Sequence, residues 1–141
     1  MGAQMTEPRR SGEQNLTGVW QGLYTYESGG STSFAATLIE SGASLTGTTH
    51  ELSTSGASIA TMLFASLIGS RHDSAVTFTK SYDRPDTFHQ RPVLYEGTLN
   101  SEGTEIEGRW IIRKNRSGKF LMVRSRGQTA KAERKVSERM R

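Results

Sequence analysis

The chain has no cysteine among its 141 residues, which excludes a disulfide framework, zinc–thiolate and iron–sulfur sites, and a cysteine nucleophile. Long apolar runs are also missing: the most apolar stretch, Ile59 to Ile68, is ten residues long and contains Thr61 and Ser66. A membrane-spanning helix needs about 20 mostly apolar residues, so we expect no membrane span. Residues 1–14 hold four charged side chains and no apolar segment suited to an export signal. These absences predict a cytoplasmic protein.

The motifs of common enzyme classes are absent as well. The sequence contains no nucleophile elbow, phosphate-binding loop, dinucleotide fingerprint or HExxH motif. Its three histidines, His50, His72 and His89, lie in different segments, and their spacing does not predict a metal site. We therefore expect a protein that is not an enzyme and that holds no metal or cofactor. Haem ligation by His89 stays open as an alternative.

The length and the charge distribution give the overall organisation. A chain of 141 residues suits one domain, and its 15 glycines with 33% apolar residues suit a globular fold. The net charge is +4, but Arg109 to Arg141 carries a net +10 and Met1 to Gly108 a net −6. This asymmetry predicts a basic C-terminal face or tail.

Alternation of apolar and polar residues dominates the middle of the chain and predicts short β-strands separated by Gly- and Asn-containing turns. The predicted strands are Leu16 to Glu27, Thr32 to Glu40, Ala43 to Leu52, Ile59 to Ser70, Ser74 to Asp83, Val93 to Asn100, Glu105 to Lys114 and Lys119 to Gly127. The connections are too short for crossover helices, so consecutive strands should pair antiparallel.

Eight such strands predict an all-β fold, an eight-stranded antiparallel up-and-down meander that closes into a barrel and so has no exposed edges. We expect residues 1–15 to be a disordered N-terminal segment and residues 16–127 to form the barrel. Residues 128–141 combine helix-forming and basic residues, which predicts a short charged helix or tail.

Strand parity predicts which side chains face the barrel interior. In the first strand Trp20, Tyr24 and Tyr26 share a face with glycines, which suits a crowded and strongly curved interior. In the fifth strand Lys80 shares the face of its aromatic neighbours. The candidate ligand-binding residues of the interior are Trp20, Tyr24, Tyr26, Phe78, Tyr82, Tyr95, Trp110, Phe120, Arg124 and Arg126.

The fourth strand is apolar on both faces, so one face needs a cover outside the barrel. The tail offers little apolar surface, and a second subunit is the better candidate. We therefore expect a homo-oligomer, a dimer or tetramer, with Met62, Phe64 and Ile68 in its interface.

Arg124 and Arg126 fall on the inward face of the last strand, and a buried arginine needs a partner. One can stack on Trp20 while the other reaches the rim; one can bind an anionic ligand; or they can pair with Glu40 or Glu51. These three alternatives stay open.

The segments Leu16-Thr17-Gly18-Val19-Trp20, Leu45-Thr46-Gly47-Thr48 and Trp110-Ile111-Ile112, within an eight-strand meander, resemble the calycin superfamily and avidin-like sequences within it. The resemblance implies a lipocalin-like or avidin-like barrel in which the first-strand Trp20 plugs one end. It also implies that an arginine of the last strand packs across that tryptophan, and that subunits associate through barrel walls. The further tryptophans and the last-strand aspartate of biotin sites are missing, so no ligand of the family is carried over.

The function that this pattern favours is a non-enzymatic barrel that binds a small apolar or amphipathic ligand, or that acts as an interaction module. A first alternative is a barrel enzyme whose site lies under the loop 84–92, with Tyr82, Asp86 or His89 as acid or base. A second alternative is anion or nucleic-acid binding through the basic C-terminal third. The tail lacks the interleaved aromatics of single-strand binders, which makes nucleic acid the weaker partner.

Overall fold

The computed structural model describes residues 15–53, 61–83, 91–113 and 116–124. These residues form β1 (Gly18–Thr25), β2 (Ser31–Ser41), β3 (Ser44–Ser53), β4 (Thr61–His72), β5 (Ala75–Tyr82), β6 (Val93–Leu99), β7 (Glu105–Arg113) and β8 (Arg116–Arg124). The predicted all-β class is confirmed. The predicted N-terminal segment, apart from Asn15, and the predicted tail at 128–141 lie outside the described residues.

Each strand pairs antiparallel with the next, and β8 pairs with β1 to close the barrel. The first pairing aligns Trp20 with Ala36, and the closing pairing aligns Trp20 with Arg124. The predicted up-and-down meander is therefore confirmed, including its closure.

Two tight turns show why the strands change direction where they do. Gly42 follows β2 with a φ of 60°, a left-handed conformation that glycine adopts without steric cost. Asp73 follows β4 with a φ of 55°, and its carbonyl oxygen accepts a hydrogen bond from Arg71 Nε at 2.7 Å. Aspartate tolerates this conformation better than most residues, so both turns follow from their sequence.

Glycines on the inner face make room for large aromatic rings. A Cβ atom on Gly22 would collide with the ring of Phe34, and one on Gly118 would collide with Trp110 and with the carbonyl oxygen of Thr25. An aromatic ring on one strand thus fills the space that a glycine leaves on the adjacent strand.

The start of the last strand corrects one prediction. The sequence predicts a turn at 115–118, but β8 begins at Arg116, and the connection from β7 is only residues 114–115. Gly118 is misleading as a turn signal, because this glycine serves the close approach of Trp110 within the sheet rather than a change of direction. The remaining strand limits differ from the predicted ones by no more than two or three residues, as fraying ends usually do.

Candidate functional site

The two ends of the barrel differ in their connections. At one end, short connections join β2 to β3, β4 to β5 and β6 to β7, and the chain enters β1 there. At the other end lie the four remaining connections, including the two longest, residues 54–60 and 83–92. We call these the plug end and the loop end. Long connections often carry binding residues, so the loop end is the better candidate for a binding site.

The plug end is closed by Trp20. The indole is fully buried and donates a hydrogen bond from Nε1 to the carbonyl oxygen of Leu16 at 3.0 Å. The guanidinium carbon of Arg124 lies 4.8 Å from the Trp20 ring centroid, and Arg124 Nη2 donates to the carbonyl oxygen of Asn15 at 2.6 Å. Of the three alternatives for the last-strand arginines, the stacking of Arg124 on Trp20 is therefore the one observed.

A buried ion pair also lies at the plug end. Arg71 Nη1 donates to the two carboxylate oxygens of Glu40 at 3.1 and 3.3 Å, and the backbone amide of Leu16 donates to Glu40 Oε1 at 2.8 Å. The predicted fourth strand ends at Ser70, which leaves Arg71 in a connection, but Arg71 is the last inward-facing residue of β4 and is buried. This pair ties the entry of the chain to two strands, which is a structural role.

Toward the loop end, the interior holds a second buried ion pair. Lys80 on β5 and Glu51 on β3 are 1% and 4% exposed, and Lys80 Nζ lies 3.0 Å from Glu51 Oε1. Two strand positions thus direct opposite charges into the same part of the barrel. The two glutamates that the sequence offered as partners for Arg124 or Arg126 pair with Arg71 and Lys80 instead.

Three tyrosine hydroxyls complete this polar cluster. Tyr24 donates to Glu51 Oε2 at 2.6 Å, Tyr82 lies 3.2 Å from both oxygens of Glu51, and Lys80 Nζ donates to Tyr95 Oη at 3.3 Å. We call Tyr24, Glu51, Lys80, Tyr82 and Tyr95 the polar cluster. Its carboxylate accepts bonds on both oxygens, which meets the requirement for burying a charge.

Burial controls the ionisation of these tyrosines. Burial raises the pKa of Tyr24 far above its usual value, and the nearby Tyr82 and Glu51 raise it further. Burial raises the pKa of Tyr82 to about 12, although the positive charge of Lys80 opposes the rise. The pKa of Tyr95 is raised by burial and by Glu51. The three phenols therefore stay protonated near neutral pH and remain available as hydrogen-bond donors.

Aromatic rings surround the ammonium group. Lys80 Nζ lies 4.8 Å from the ring centroids of Tyr24 and Tyr82, and 5.5 Å from those of Phe34 and Tyr95. All four distances fall within the range in which the negative face of an aromatic ring attracts a cation. The cluster therefore stabilises a positive charge by one carboxylate and by ring faces.

A group of stacked rings lies beside the cluster. Phe78 stacks on Tyr95 with centroids 5.0 Å apart, and Phe120 meets Tyr95 edge-on, also at 5.0 Å. These rings are buried and fill the interior between β5, β6 and β8. The polar cluster thus has a packed apolar wall on one side.

The rim of the loop end is formed by Tyr26 and Trp110. Tyr26 was predicted to face the interior, but β1 ends at Thr25, and Tyr26 is 37% exposed, with its hydroxyl 2.8 Å from Thr32 Oγ1. Its ring meets Trp110 edge-on at 6.1 Å. Trp110 is buried and donates from Nε1 to the carbonyl oxygen of Thr25 at 2.8 Å.

The predicted interface residues lie on the outside of the barrel, as parity indicated. Met62, Phe64 and Ile68 are exposed, with Phe64 at 55% and Ile68 at 69%. Leu52 on the adjacent strand β3 and Ile39 on β2, the next strand along, are exposed on the same outer face. The exposure of this face is established, and the association that it predicts stays a prediction.

Most of the predicted ligand-binding residues fall into three places. Tyr24, Tyr82 and Tyr95 belong to the polar cluster, and Trp110 and Phe120 pack around it. Trp20 and Arg124 close the opposite end, so the structure does not bring all ten together. The remaining members are Phe78 in the stacked rings, Tyr26 on the rim, and Arg126, which lies outside the described residues.

The ion pair of the polar cluster was not among the predicted site residues. Parity had placed Lys80 inward, and Glu51 shared a face with Leu45, so the signal was present on each strand separately. Parity could not show that the two side chains meet. The register places Glu51 opposite Leu63 and Lys80 opposite Leu67, four residues apart along β4, and the two charged groups meet at 3.0 Å across the interior.

Of the three residues proposed as acid or base in the enzymatic alternative, the structure describes one. Asp86 and His89 lie outside the described residues, and Tyr82 is half-buried and engaged with Glu51. Across the part of the chain that the structure describes, no group of three His, Asp or Glu side chains is arranged to hold a metal ion. The described residues also include no helix that is long and apolar enough to cross a membrane.

Comparison with known proteins identifies the architecture and no family. No protein-family model matches the chain, and no curated protein matches it. A solved structure of a redesigned beta barrel is similar with a TM-score of 0.64 at 15% identity, covering 79% of this chain and 92% of that chain. A second solved structure, a de novo designed fluorescence-activating beta barrel, is similar with a TM-score of 0.57 at 14% identity, covering 80% of this chain and 96% of that chain. At these identities the likeness shows the fold alone: this chain is a closed, eight-stranded antiparallel β-barrel.

Proposed function

We propose that the protein is a non-enzymatic binding protein, built on a calycin-like barrel, that takes a small amphipathic ligand at the loop end. The observation that carries this proposal is the polar cluster. Binding sites in proteins are mostly apolar cavities in which a few polar groups converge. Here one carboxylate, one ammonium group and three phenol hydroxyls converge inside a barrel that is otherwise lined by aromatic and aliphatic side chains.

The asymmetry of the barrel supports the loop end as the entrance. The plug end is sealed by Trp20, Arg124 and the Arg71–Glu40 pair, which bind the chain entry tightly. At the loop end, Tyr82 of the polar cluster is half-buried and Tyr26 on the rim is exposed. A ligand would place its apolar part against Trp110 and its polar group toward Glu51 or Lys80.

The calycin-like assignment rests on the plug. The stacking of Arg124 on Trp20 matches the arrangement that the sequence resemblance implies. The similar designed barrel is described as fluorescence-activating, so a barrel of this fold can carry a function besides its architecture.

The two tryptophans allow a direct test, because one lies at each end. The Trp20→Phe variant keeps Trp110 as the only fluorophore of this kind, and Trp110→Phe keeps Trp20. Titration with the amphipathic dye 1-anilinonaphthalene-8-sulfonate should quench Trp110 emission in a saturable manner and leave Trp20 emission nearly unchanged. Equal quenching of both tryptophans, or no saturable quenching of Trp110, would contradict binding at the loop end.

A second property is favoured by the outer surface. We propose that the barrel self-associates through the outer face of β2 to β5. None of the outward-facing residues of these four described strands is Asp, Glu, Lys or Arg. The outer face of β6 to β8 instead carries Glu96, Glu107, Arg109 and Lys119.

The outer face of the described strands β2 to β5 carries no charged side chain, so its best partner is the same face of a second copy of the chain. Its exposed apolar side chains gain by burial against one another, and a two-fold axis places the same patch on both subunits. Met62, Phe64 and Ile68 lie along its central strand, with Phe64 beside His50 at a ring-centroid distance of 6.2 Å. This contact gives a dimer, because it uses the same face of both subunits; a tetramer needs a second contact surface on each subunit.

Sedimentation analysis tests the association. The wild-type chain should sediment above the 15.5 kDa of one chain, and Phe64→Glu should dissociate it by placing a charge in the apolar contact. Thr98→Glu, which adds the same charge on the outer face of β6, is the matched control and should leave the mass unchanged. A wild-type protein that stays monomeric at every concentration refutes the contact.

A further inference from the structure

The Lys80–Glu51 pair lies where two apolar side chains would fill the core at least as well. Both residues are almost completely buried, and replacing a buried ion pair by apolar residues of similar size is often neutral or stabilising. Lysine differs from arginine in that its amine becomes a nucleophile once it gives up a proton. Glu51, 3.0 Å from Nζ, is positioned to accept that proton.

A second, independent feature points to a ligand at the same level of the barrel. Thr49 Oγ1 is buried, faces the interior, and makes no hydrogen bond within the described part of the chain. Thr49 lies two residues from Glu51, and its cross-strand neighbours are Ala36 and Ala65. Buried hydroxyls normally have a hydrogen-bond partner, and neither alanine can provide one from its side chain. The carbonyl oxygen of an entering ligand would supply one.

We propose that Lys80 is a covalent anchor for a carbonyl ligand, a small aromatic or conjugated aldehyde that forms an imine with Nζ. This proposal rests on the proposed function and names the ligand class of that site. The apolar part of the aldehyde lies against the aromatic lining toward the loop end. The bond to Nζ fixes its polar end within the polar cluster.

The reaction balances without any further reactant. Lys80 Nζ passes one proton to Glu51, and the free amine attacks the carbonyl carbon to form the carbon–nitrogen bond. A second proton moves from nitrogen to the former carbonyl oxygen. Glu51 then returns its proton to that hydroxyl group, which leaves as water while the carbon–nitrogen double bond forms. The ammonium group and the aldehyde thus become an iminium ion and one water molecule.

The electrostatics of the cluster favour this product. The iminium ion carries the same single positive charge as the ammonium group, so Glu51 keeps an oppositely charged partner. The rings of Tyr24, Tyr82, Phe34 and Tyr95, at 4.8 to 5.5 Å from Nζ, attract the iminium cation as they attract the ammonium group. Acylation of Lys80 would instead leave Glu51 as an unpaired buried charge, which is costly.

Reductive trapping tests the proposal. The protein is incubated with cinnamaldehyde and sodium cyanoborohydride, which reduces an iminium ion to a stable amine, and the modified lysine is located by peptide mass spectrometry. Lys80 should be modified at least tenfold faster than Lys119, which is exposed on β8. Modification confined to Lys119, to other lysines or to the N-terminal amine would overturn the proposal.

Two variants separate a chemical role from a structural one. Lys80→Arg keeps the positive charge beside Glu51 but cannot form an imine, so it should fold and show no red-shifted imine absorption. Glu51→Gln removes the counter-ion, and the protonated imine should then fall at least tenfold at neutral pH relative to wild type. An unchanged protonated imine in Glu51→Gln would count against the role of Glu51.

Cinnamyl alcohol distinguishes the failure of this step from the failure of the binding site. The alcohol has the same carbon skeleton and lacks the carbonyl group. If it quenches Trp110 in the Trp20→Phe variant while the aldehyde leaves Lys80 unmodified, the covalent step is wrong and the binding site stands. If neither compound acts at the loop end, both proposals fail.

Discussion

Replacing the buried pair Lys80–Glu51 one residue at a time should cost far more stability than replacing both. Lys80→Met leaves a buried carboxylate that still accepts bonds from Tyr24 and Tyr82, so we expect a loss near the lower end of the range for breaking a buried pair, about 3 kcal/mol. Glu51→Met leaves a buried ammonium group with no carboxylate, held by the hydroxyls of Tyr95 and Tyr82 and by the ring faces, and should lose about 5 kcal/mol.

The double variant removes both charges and leaves the Tyr24 hydroxyl without its acceptor, which costs about 1–3 kcal/mol. The two substitutions should therefore be strongly non-additive, with a coupling energy of about 3 kcal/mol or more. Equilibrium unfolding in urea, followed by tryptophan emission at neutral pH, measures all four proteins. Additive losses, with coupling below about 0.5 kcal/mol, would refute the pairing on which the polar cluster depends.

Substitutions of interior residues give three further predictions. Gly22→Ala drives a methyl group into the Phe34 ring and should lower the free energy of unfolding by about 1–3 kcal/mol, and Phe34→Leu should restore most of that loss in the double variant. Burial holds the pKa of Tyr82 at about 12, above its value of 10.0 in the unfolded chain. The native state then keeps a proton that the unfolded state loses, so stability falls as pH rises from 10 to about 12, and urea unfolding of Tyr82→Phe should show a smaller fall in that window. Finally, Tyr82→Ala opens the path from the loop end and should raise the rate at which cinnamaldehyde modifies Lys80, as peptide mass spectrometry would measure.

The sequence was sufficient for the fold because the relevant signals are local. Alternation along each strand, together with turns such as those at Gly42 and Asp73, determines the number, order and facing of the strands. The plug was also predictable, because Trp20 and Arg124 lie on the inward parity of strands that must meet when the meander closes.

The site was less predictable because it depends on register and tilt. Parity places Lys80 and Glu51 inward on strands that are not neighbours. Their partners on β4, Leu67 and Leu63, are four residues apart, so only the three-dimensional course of the strands shows that the charges meet. Tyr26 was misplaced for a related reason: alternation continues past the point where β1 ends, so the pattern alone does not show where the interior stops.

We propose that a small ligand binds at the loop end, against the polar cluster. Nuclear magnetic resonance of protein labelled with ¹³C in tyrosine rings and leucine methyl groups tests it most directly, with cinnamyl alcohol as the probe. We expect saturable shifts of the Tyr24, Tyr82 and Tyr95 signals, and unchanged methyl signals of Leu16 and Leu38, which are buried away from the cluster. Shifts confined to the plug end or to the outer face of β2 to β5, or no shifts at a saturating concentration of the probe, would contradict binding at the loop end.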